Sequence, residues 1–254
     1  MTKSLKDNVL VVIPARFAST RLPGKPLLSI GDKPMIQLVY EQAQKMETAT
    51  KVVVATDDER IMDAVKRFGG EAVMTDATHE SGTDRVAEVA RNTHCGTACD
   101  IVVNIQGDEP FINPKAVDMA VRTLINDPAI KVSTLCVSIE REEAEDPNVT
   151  CVVRDLKGFA LYFSKLPIPN DRDGGSADGP LYKHLGTYVF RRDFLLYYAG
   201  LGCTPLEKCE KLEQLRILEH GEKIFCVETE IDSLGIDSPK DLARADKMLK
   251  RGAL

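Results

Sequence analysis

Tryptophan is absent and aromatic residues make up only 6% of the 254-residue chain, so stacking platforms for single-stranded nucleic acid have little to be built from. No basic surplus stands in for them. Against 33 Lys and Arg there are 39 Asp and Glu, a net charge of −6, whereas binding to a phosphate backbone or an anionic membrane needs a clustered basic face. Long apolar runs are missing near the N-terminus: the stretch 9–13 follows the polar segment 2–8 and is too short for a signal-peptide core or a membrane span. These absences point to a cytoplasmic protein with neither a nucleic-acid partner nor stable membrane association.

A disulfide framework is also missing. The seven cysteines, Cys95, Cys99, Cys136, Cys151, Cys203, Cys209 and Cys226, are odd in number and scattered, which suits a reducing compartment. His94, Cys95 and Cys99 lie close together, but they lack paired CxxC spacing and the other half of a tetrahedral site. They read as ordinary thiols beside a histidine.

Present instead is a composition that can bury a core, with 43% hydrophobic and 28% charged residues. Short β-branched runs at 9–14, 51–56, 71–75, 100–106 and 131–139 alternate with amphipathic segments at 35–46, 59–68, 83–92 and 115–126. That alternation predicts βα units on a mostly parallel, Rossmann-like sheet buried on both faces by flanking helices. Asp57 or Asp58 can cap the second helix, Pro114 suits a first helical position, and Gly69-Gly70 and Asp127-Pro128 supply stops. The second half differs: 151–155 and 159–164 flank Lys157-Gly158 as a hairpin, 184–190 and 223–229 read as strands, and 208–220 and 239–250 as helices. Residues 170–180, rich in Asp, Gly and Ser, read as a loop.

Chemistry concentrates in a few places. After the first strand comes PARFASTRLPGKP at 14–26. Arg16, Arg21 and Lys25 could clamp a polyphosphate there, while Ala15, Ser19 and Gly24 let backbone N–H groups approach it. An exposed basic loop broken by prolines is the alternative; position at the carboxyl end of a parallel strand favours phosphate. The spacing is neither a Walker loop nor GxGxxG. VVNIQGDEP at 102–110 runs a strand into Asp108, a candidate Mg²⁺ ligand, although taken alone a plain Asp-Glu-Pro turn is the more common reading. Asp237, before a helix, reads as part of an N-cap unless the fold brings it opposite Asp108. Ser81, Gly82 and Arg85 open a helix where a base or ribose edge could be read, or where capping alone is served. His184 fits a buried hydrogen-bonded imidazole as well as a ligand contact, and Glu213-Gln214 a solvated helix face.

In order, IPARFASTRLPGKPL, VVATDDERI, SGTDR, VNIQGDEP, ALYFSK, HLGTY, LEQLR and GIDSP resemble the cytidylyltransferases that activate 2-keto sugar acids, most closely the branch acting on 3-deoxy-manno-octulosonate (Kdo). The resemblance runs from Val11 to about Leu249. It implies a nucleotide-diphospho-sugar-transferase type fold, a homodimer, and transfer of CMP from CTP to the anomeric hydroxyl of Kdo for lipopolysaccharide synthesis. A related sugar acid, 8-amino-Kdo or a nonulosonate, is the nearest alternative acceptor, and a non-catalytic nucleotide-binding module is a more distant reading.

The same resemblance implies roles. Arg16, Arg21 and Lys25 fall on the triphosphate, and Ala15, Ser81, Gly82 and Arg85 near the cytidine. Asp108 and Asp237 fall on Mg²⁺, and Gln106, Lys165, His184, Tyr188, Glu213 and Gln214 on the sugar. Lys165 stands where the family commonly has Arg, and lysine offers no planar two-point grip on a carboxylate. One domain is expected over 1–254: mainly CTP-binding in 1–140, sugar-binding and dimerisation in 141–234, and a metal-site loop with a closing helix in 235–254.

Overall fold

The computed structural model describes residues 8–18, 22–79, 81–92, 99–170 and 181–252. Ser19, Arg21, His94, Cys95 and residues 171–180 of the expected loop lie outside the described residues.

Strand β1 (Val9–Ala15) leads through a 3₁₀ turn (Lys25–Leu27) and a small ribbon, β2 (Ser29–Ile30) with β3 (Lys33–Pro34), into α1 (Met35–Gln44). Then follow β4 (Lys51–Thr56), α2 (Glu59–Arg67), β5 (Ala72–Met74), α3 (Gly82–Arg91), β6 (Ile101–Asn104), α4 (Pro114–Asn126) and β7 (Val132–Ile139). The second half contributes α5 (Arg141–Ala144), β8 (Cys151–Arg154), β9 (Ala160–Ser164), β10 (Leu181–Arg191), α6 (Arg192–Tyr198), α7 (Pro205–Glu210), α8 (Leu215–Glu219), β11 (Phe225–Glu228) and α9 (Pro239–Lys250).

Among the described residues the main sheet has nine strands. Seven run in the order β11-β7-β10-β6-β1-β4-β5, with the β8–β9 hairpin joined to β10. β1 pairs parallel with β4 and β6, β4 with β5, and β7 with β11. β10 runs antiparallel between β6 and β7. One sheet thus links the parallel first half to the hairpin-bearing second half.

Burial on both faces explains the unbroken apolar runs. In β1, Val9, Val11 and Ile13 pack against Ile36 and Val39 of α1 and Val117 and Val121 of α4, whereas Leu10 and Val12 join Val86 and Val89 of α3 and Phe194 and Leu195 of α6. Capping follows the chemistry expected: Asp58 accepts from Arg60 N–H, Asn113 precedes Pro114, and Gly69 takes the left-handed conformation. Among the described residues no helix is long and apolar enough to cross a membrane.

Several segments depart from the sequence reading, among them the β2–β3 ribbon and the short α5, which it does not give. The helix expected at 208–220 is two helices, α7 and α8, separated by a turn in which Lys211 adopts φ of 57°. The turn folds Arg216 back onto Glu207, their side chains pairing at 2.7 and 2.5 Å, a charge-assisted contact one straight helix would not close. Helix α6 was not anticipated. It follows β10 directly and has seven residues, too few for a helical period to emerge.

Candidate active site

The site lies where β1 and β6 end side by side. Between these parallel neighbours the chain reverses its direction of travel across the sheet, from β5 back through α3 to β6, and open α/β sheets bind ligands at such a point. The cleft there, about 300 Å³, is lined by Pro14, Ala15, Arg16, Lys25, Pro26, His79, Ser81, Gly82, Arg85, Gln106, Gly107, Asp108, Glu213 and Asp237. A larger concavity, about 950 Å³, lies at the opposite end of β6 and includes Lys131, Arg191 and Arg192. Those cations are engaged with Glu222, backbone carbonyls and Asp193, so that hollow lacks an uncommitted anion-binding group among its described residues.

The loop leaving β1 is closed on itself. Gly24 N–H donates to the Phe17 carbonyl at 3.1 Å. Gly24 holds φ of 66°, and a Cβ there would sit 3.0 Å from the Phe17 ring; glycine alone satisfies both demands comfortably. Arg60 covers that ring, its guanidinium carbon 3.3 Å from the centroid. With the turn fixed, Lys25 is delivered inward. Its Nζ stands 2.6 Å from Asp108 Oδ2 and 2.9 Å from Asp237 Oδ1. Burial by itself would lower the Lys25 pKa, but the two carboxylates outweigh it and hold the ammonium above its ordinary value.

Asp108 reaches this position because Gly107 passes close under β1: a Cβ on Gly107 would lie 2.7 Å from the Pro14 carbonyl oxygen. Asp237 is brought opposite by a backbone bond, Ile236 N–H donating to the Asp108 carbonyl at 2.9 Å. The local reading of Asp237 as an N-cap gives way here. Ser238 caps α9 in a capping box with Asp241, which leaves the Asp237 carboxylate to face Lys25. Beside Asp108, the buried Glu109 accepts from Ser233 Oγ at 3.1 Å. Burial and the Asp108 charge push its pKa up to about 7.

Two carboxylates converging on one cation make an oxygen donor set suited to a hard divalent ion. Among the described residues there is no cluster of three or more His, Cys, Asp or Glu side chains that could hold a metal. Two protein carboxylates are an ordinary share for an ion completed by phosphates and water. The residues fit such an ion, with the ammonium holding the place of the charge.

Across the cleft, Ser81 caps α3 by accepting from Asp84 N–H at 3.1 Å, and Gly82 lies close against Pro14. Arg85 is only 3% exposed and is fixed by Asp57 at 2.9 Å and by Thr75. His79 lines the same wall, its Nε2 2.5 Å from Glu88. Glu213, in the turn between α7 and α8, accepts from Thr83 Oγ1 at 2.9 Å, and burial raises its pKa. Gln106 Nε2 donates to the Gly186 carbonyl at 3.2 Å, where β10 shifts register between Leu185 and Tyr188.

Of the residues singled out by sequence, ten therefore gather round one cleft: Ala15, Arg16, Lys25, Ser81, Gly82, Arg85, Gln106, Asp108, Glu213 and Asp237. Lys165, His184, Tyr188 and Gln214 are not among its lining. Lys165 Nζ donates to the Asn148 carbonyl at 2.9 Å, and Gln214 is buried before α8. His184 lies 2.9 Å from Thr134 Oγ1, and burial drives its pKa down to about 3. Tyr188 packs against His184 and Phe190; its buried hydroxyl has no partner among the described residues. His79, Gly107 and Glu109 escaped the sequence reading as site residues, although His79 stands two positions before Ser81 and Glu109 immediately after Asp108.

A sequence model described as cytidylyltransferase matches residues 10–224. The chain belongs to the cytidylyltransferase family. Among cytidylyltransferases it is 53% identical over 248 residues to the 3-deoxy-manno-octulosonate cytidylyltransferase of Solibacter usitatus, covering 97% of this chain and 96% of that one. The protein of the same description from Geobacter metallireducens is 49% identical over 254 residues, with 96% and 98% covered. A solved structure of CMP:2-keto-3-deoxy-manno-octonic acid synthetase complexed with CTP matches this cytidylyltransferase with a TM-score of 0.90 at 43% identity, over 96% of this chain and 99% of that one.

Proposed function

We propose that this chain transfers CMP from CTP to the anomeric 2-hydroxyl of Kdo, releasing pyrophosphate, in the route to lipopolysaccharide. The observation that carries this reading is the convergence of Arg16, Lys25, Asp108 and Asp237 beside the open end of α3, in a chain that shares half its residues with relatives of that description. Similarity over nearly the whole length favours Kdo over other 2-keto sugar acids.

In the reaction the sugar hydroxyl oxygen forms a bond to the α-phosphorus and loses its proton. The bond from that phosphorus to the bridging oxygen breaks, and pyrophosphate leaves with the electron pair. Catalysis of this kind is mostly positioning and charge stabilisation. Arg16, Arg21 and Lys25 offset charge on the triphosphate and the departing pyrophosphate. Ala15, Ser81 and Gly82 bring backbone against the cytidine, and Arg85, locked by Asp57 and Thr75, forms a rigid wall beneath it. Asp108 and Asp237 would hold Mg²⁺, which when bound supplies positive charge to phosphate oxygens and lowers the pKa of a coordinated hydroxyl.

Gln106 and Glu213 bound the acceptor side, with Lys165, His184, Tyr188 and Gln214 behind them. Because His184 is half-buried and neutral, it serves the sugar as a hydrogen-bonding group, leaving Lys165 to balance the carboxylate. The chain works as a cytoplasmic homodimer, its second half supplying the contacts between copies. Pyrophosphate release from CTP, Mg²⁺ and Kdo, against controls without sugar or with UTP, tests the function. Sugar-dependent release with CTP is expected, and none from Kdo with CTP still bound transfers the assignment to another 2-keto sugar acid.

A further inference from the structure

We propose that Lys25 is the resident counter-cation of the Asp108–Asp237 pair and excludes a divalent metal until the phosphates of CTP draw its ammonium away. The inference rests on the reading that these carboxylates hold the metal.

Lys25 Nζ is 2.6 Å from Asp108 Oδ2 and 2.9 Å from Asp237 Oδ1. A Mg²⁺ ion needs about 2.0–2.1 Å to its oxygens, so an ion bound to the same two oxygens would press against the ammonium and be repelled by it. The two cations are therefore alternatives. Removing both is also unfavourable, because each carboxylate then loses the charge-assisted bond that Lys25 supplies. The lysine side chain is only 13% exposed, whereas those of Asp108 and Asp237 are 34% and 43% exposed, so the lysine is the least exposed member of the triad and the carboxylates stay open to the cleft.

The same geometry provides a way out. The Lys25 backbone is anchored by its N–H bond to the Leu22 carbonyl at 3.0 Å and by the Gly24–Phe17 bond. The flexible four-carbon stem can still swing its charge toward an anion without moving the loop. A triphosphate in the cleft offers oxygens to the ammonium, and the vacated carboxylates become available to the metal. CTP and metal then favour each other's binding, and by linkage each strengthens the other by the same factor. Metal alone binds weakly because it must expel Lys25 with nothing to receive it.

The test is Mn²⁺ binding without nucleotide, read by the electron paramagnetic resonance of free Mn²⁺, on the wild type, Lys25→Met and Lys25→Gln. The second variant and a circular dichroism check guard against misfolding of the first. Either folded variant is expected to bind Mn²⁺ about tenfold or more tightly than the wild type, within the range usual for coupled sites. Equal or weaker binding by the folded variants overturns the proposal. Adding Asp108→Asn to Lys25→Met separates the underlying reading: the tighter binding is expected to vanish, and its persistence would place the metal elsewhere and overturn the site assignment itself. Activity enters neither readout.

Discussion

Ser233 Oγ donates to Glu109 Oε2 at 3.1 Å, joining the segment before Asp237 to the residue after Asp108. Both partners are buried, at 6% and 8% exposure. Ser233→Ala leaves a buried carboxyl oxygen without that donor, a loss of about 1–3 kcal/mol, and loosens one of the two ties between the carboxylate loops. Thermal unfolding is expected to shift down, and the Mg²⁺ midpoint of the initial rate to rise several-fold. An unchanged midpoint would leave the Ile236–Asp108 backbone bond as sufficient support.

Asp108→Asn is expected to abolish turnover, by about 10²–10³-fold or more, with the fold intact. The side chain is partly exposed and its neighbour Lys25 retains Asp237, so circular dichroism and unfolding curves should stay close to the wild type. Retained turnover would remove Asp108 from the metal site.

Gly107→Ala places a Cβ 2.7 Å from the Pro14 carbonyl oxygen. That oxygen belongs to the central strand β1, flanked by β4 and β6, so the strand cannot yield cheaply. Overpacking of this kind costs about 1–3 kcal/mol. The displaced loop carries Asp108, and turnover should fall further than stability alone explains; kinetics below the unfolding transition separate the two effects.

His184 gives a pH dependence of definite sign. Its folded pKa is lowered by burial to about 3, against 6.5 for a free imidazole. Between those values the unfolded chain binds the extra proton, so His184 contributes stability above pH 6.5 that is lost as pH falls toward 3, at up to roughly 1.4 kcal/mol per pH unit. His184→Gln should flatten that part of the stability profile in denaturant titrations at pH 4 and 7. An equally steep profile in the variant would show that other groups set it.

The parallel half was legible in sequence because most of its strands are buried apolar runs closed by turn residues: 51–56 matches β4 at both ends, although the edge strand β5 is only partly buried. The place of Arg16 and Lys25 in the cleft was legible for a related reason, since they follow a strand whose carboxyl end could be inferred. The pairing of Asp108 with Asp237 depends on a contact between distant segments, which local pattern cannot encode. The break between α7 and α8 was hidden because Lys211 is a good helix former, and the contacts that hold its left-handed turn, Arg216 with Glu207 and Glu213 with Thr83 and Tyr198, join residues outside any local pattern. Antiparallel β10 was visible as a strand, but not as the strand inserted between β6 and β7.

About half of the 254 residues lie between Asp108 and Asp237, and the backbone bond from Ile236 to Asp108 forms only when the segment around Ile236 is in place. During vectorial synthesis, β1, β6 and the loop bearing Lys25 emerge long before that partner does. A nascent chain therefore carries a lysine held by one aspartate and an unfinished cleft wall. A product cut short before that segment leaves Lys25 with Asp108 alone of the two carboxylates.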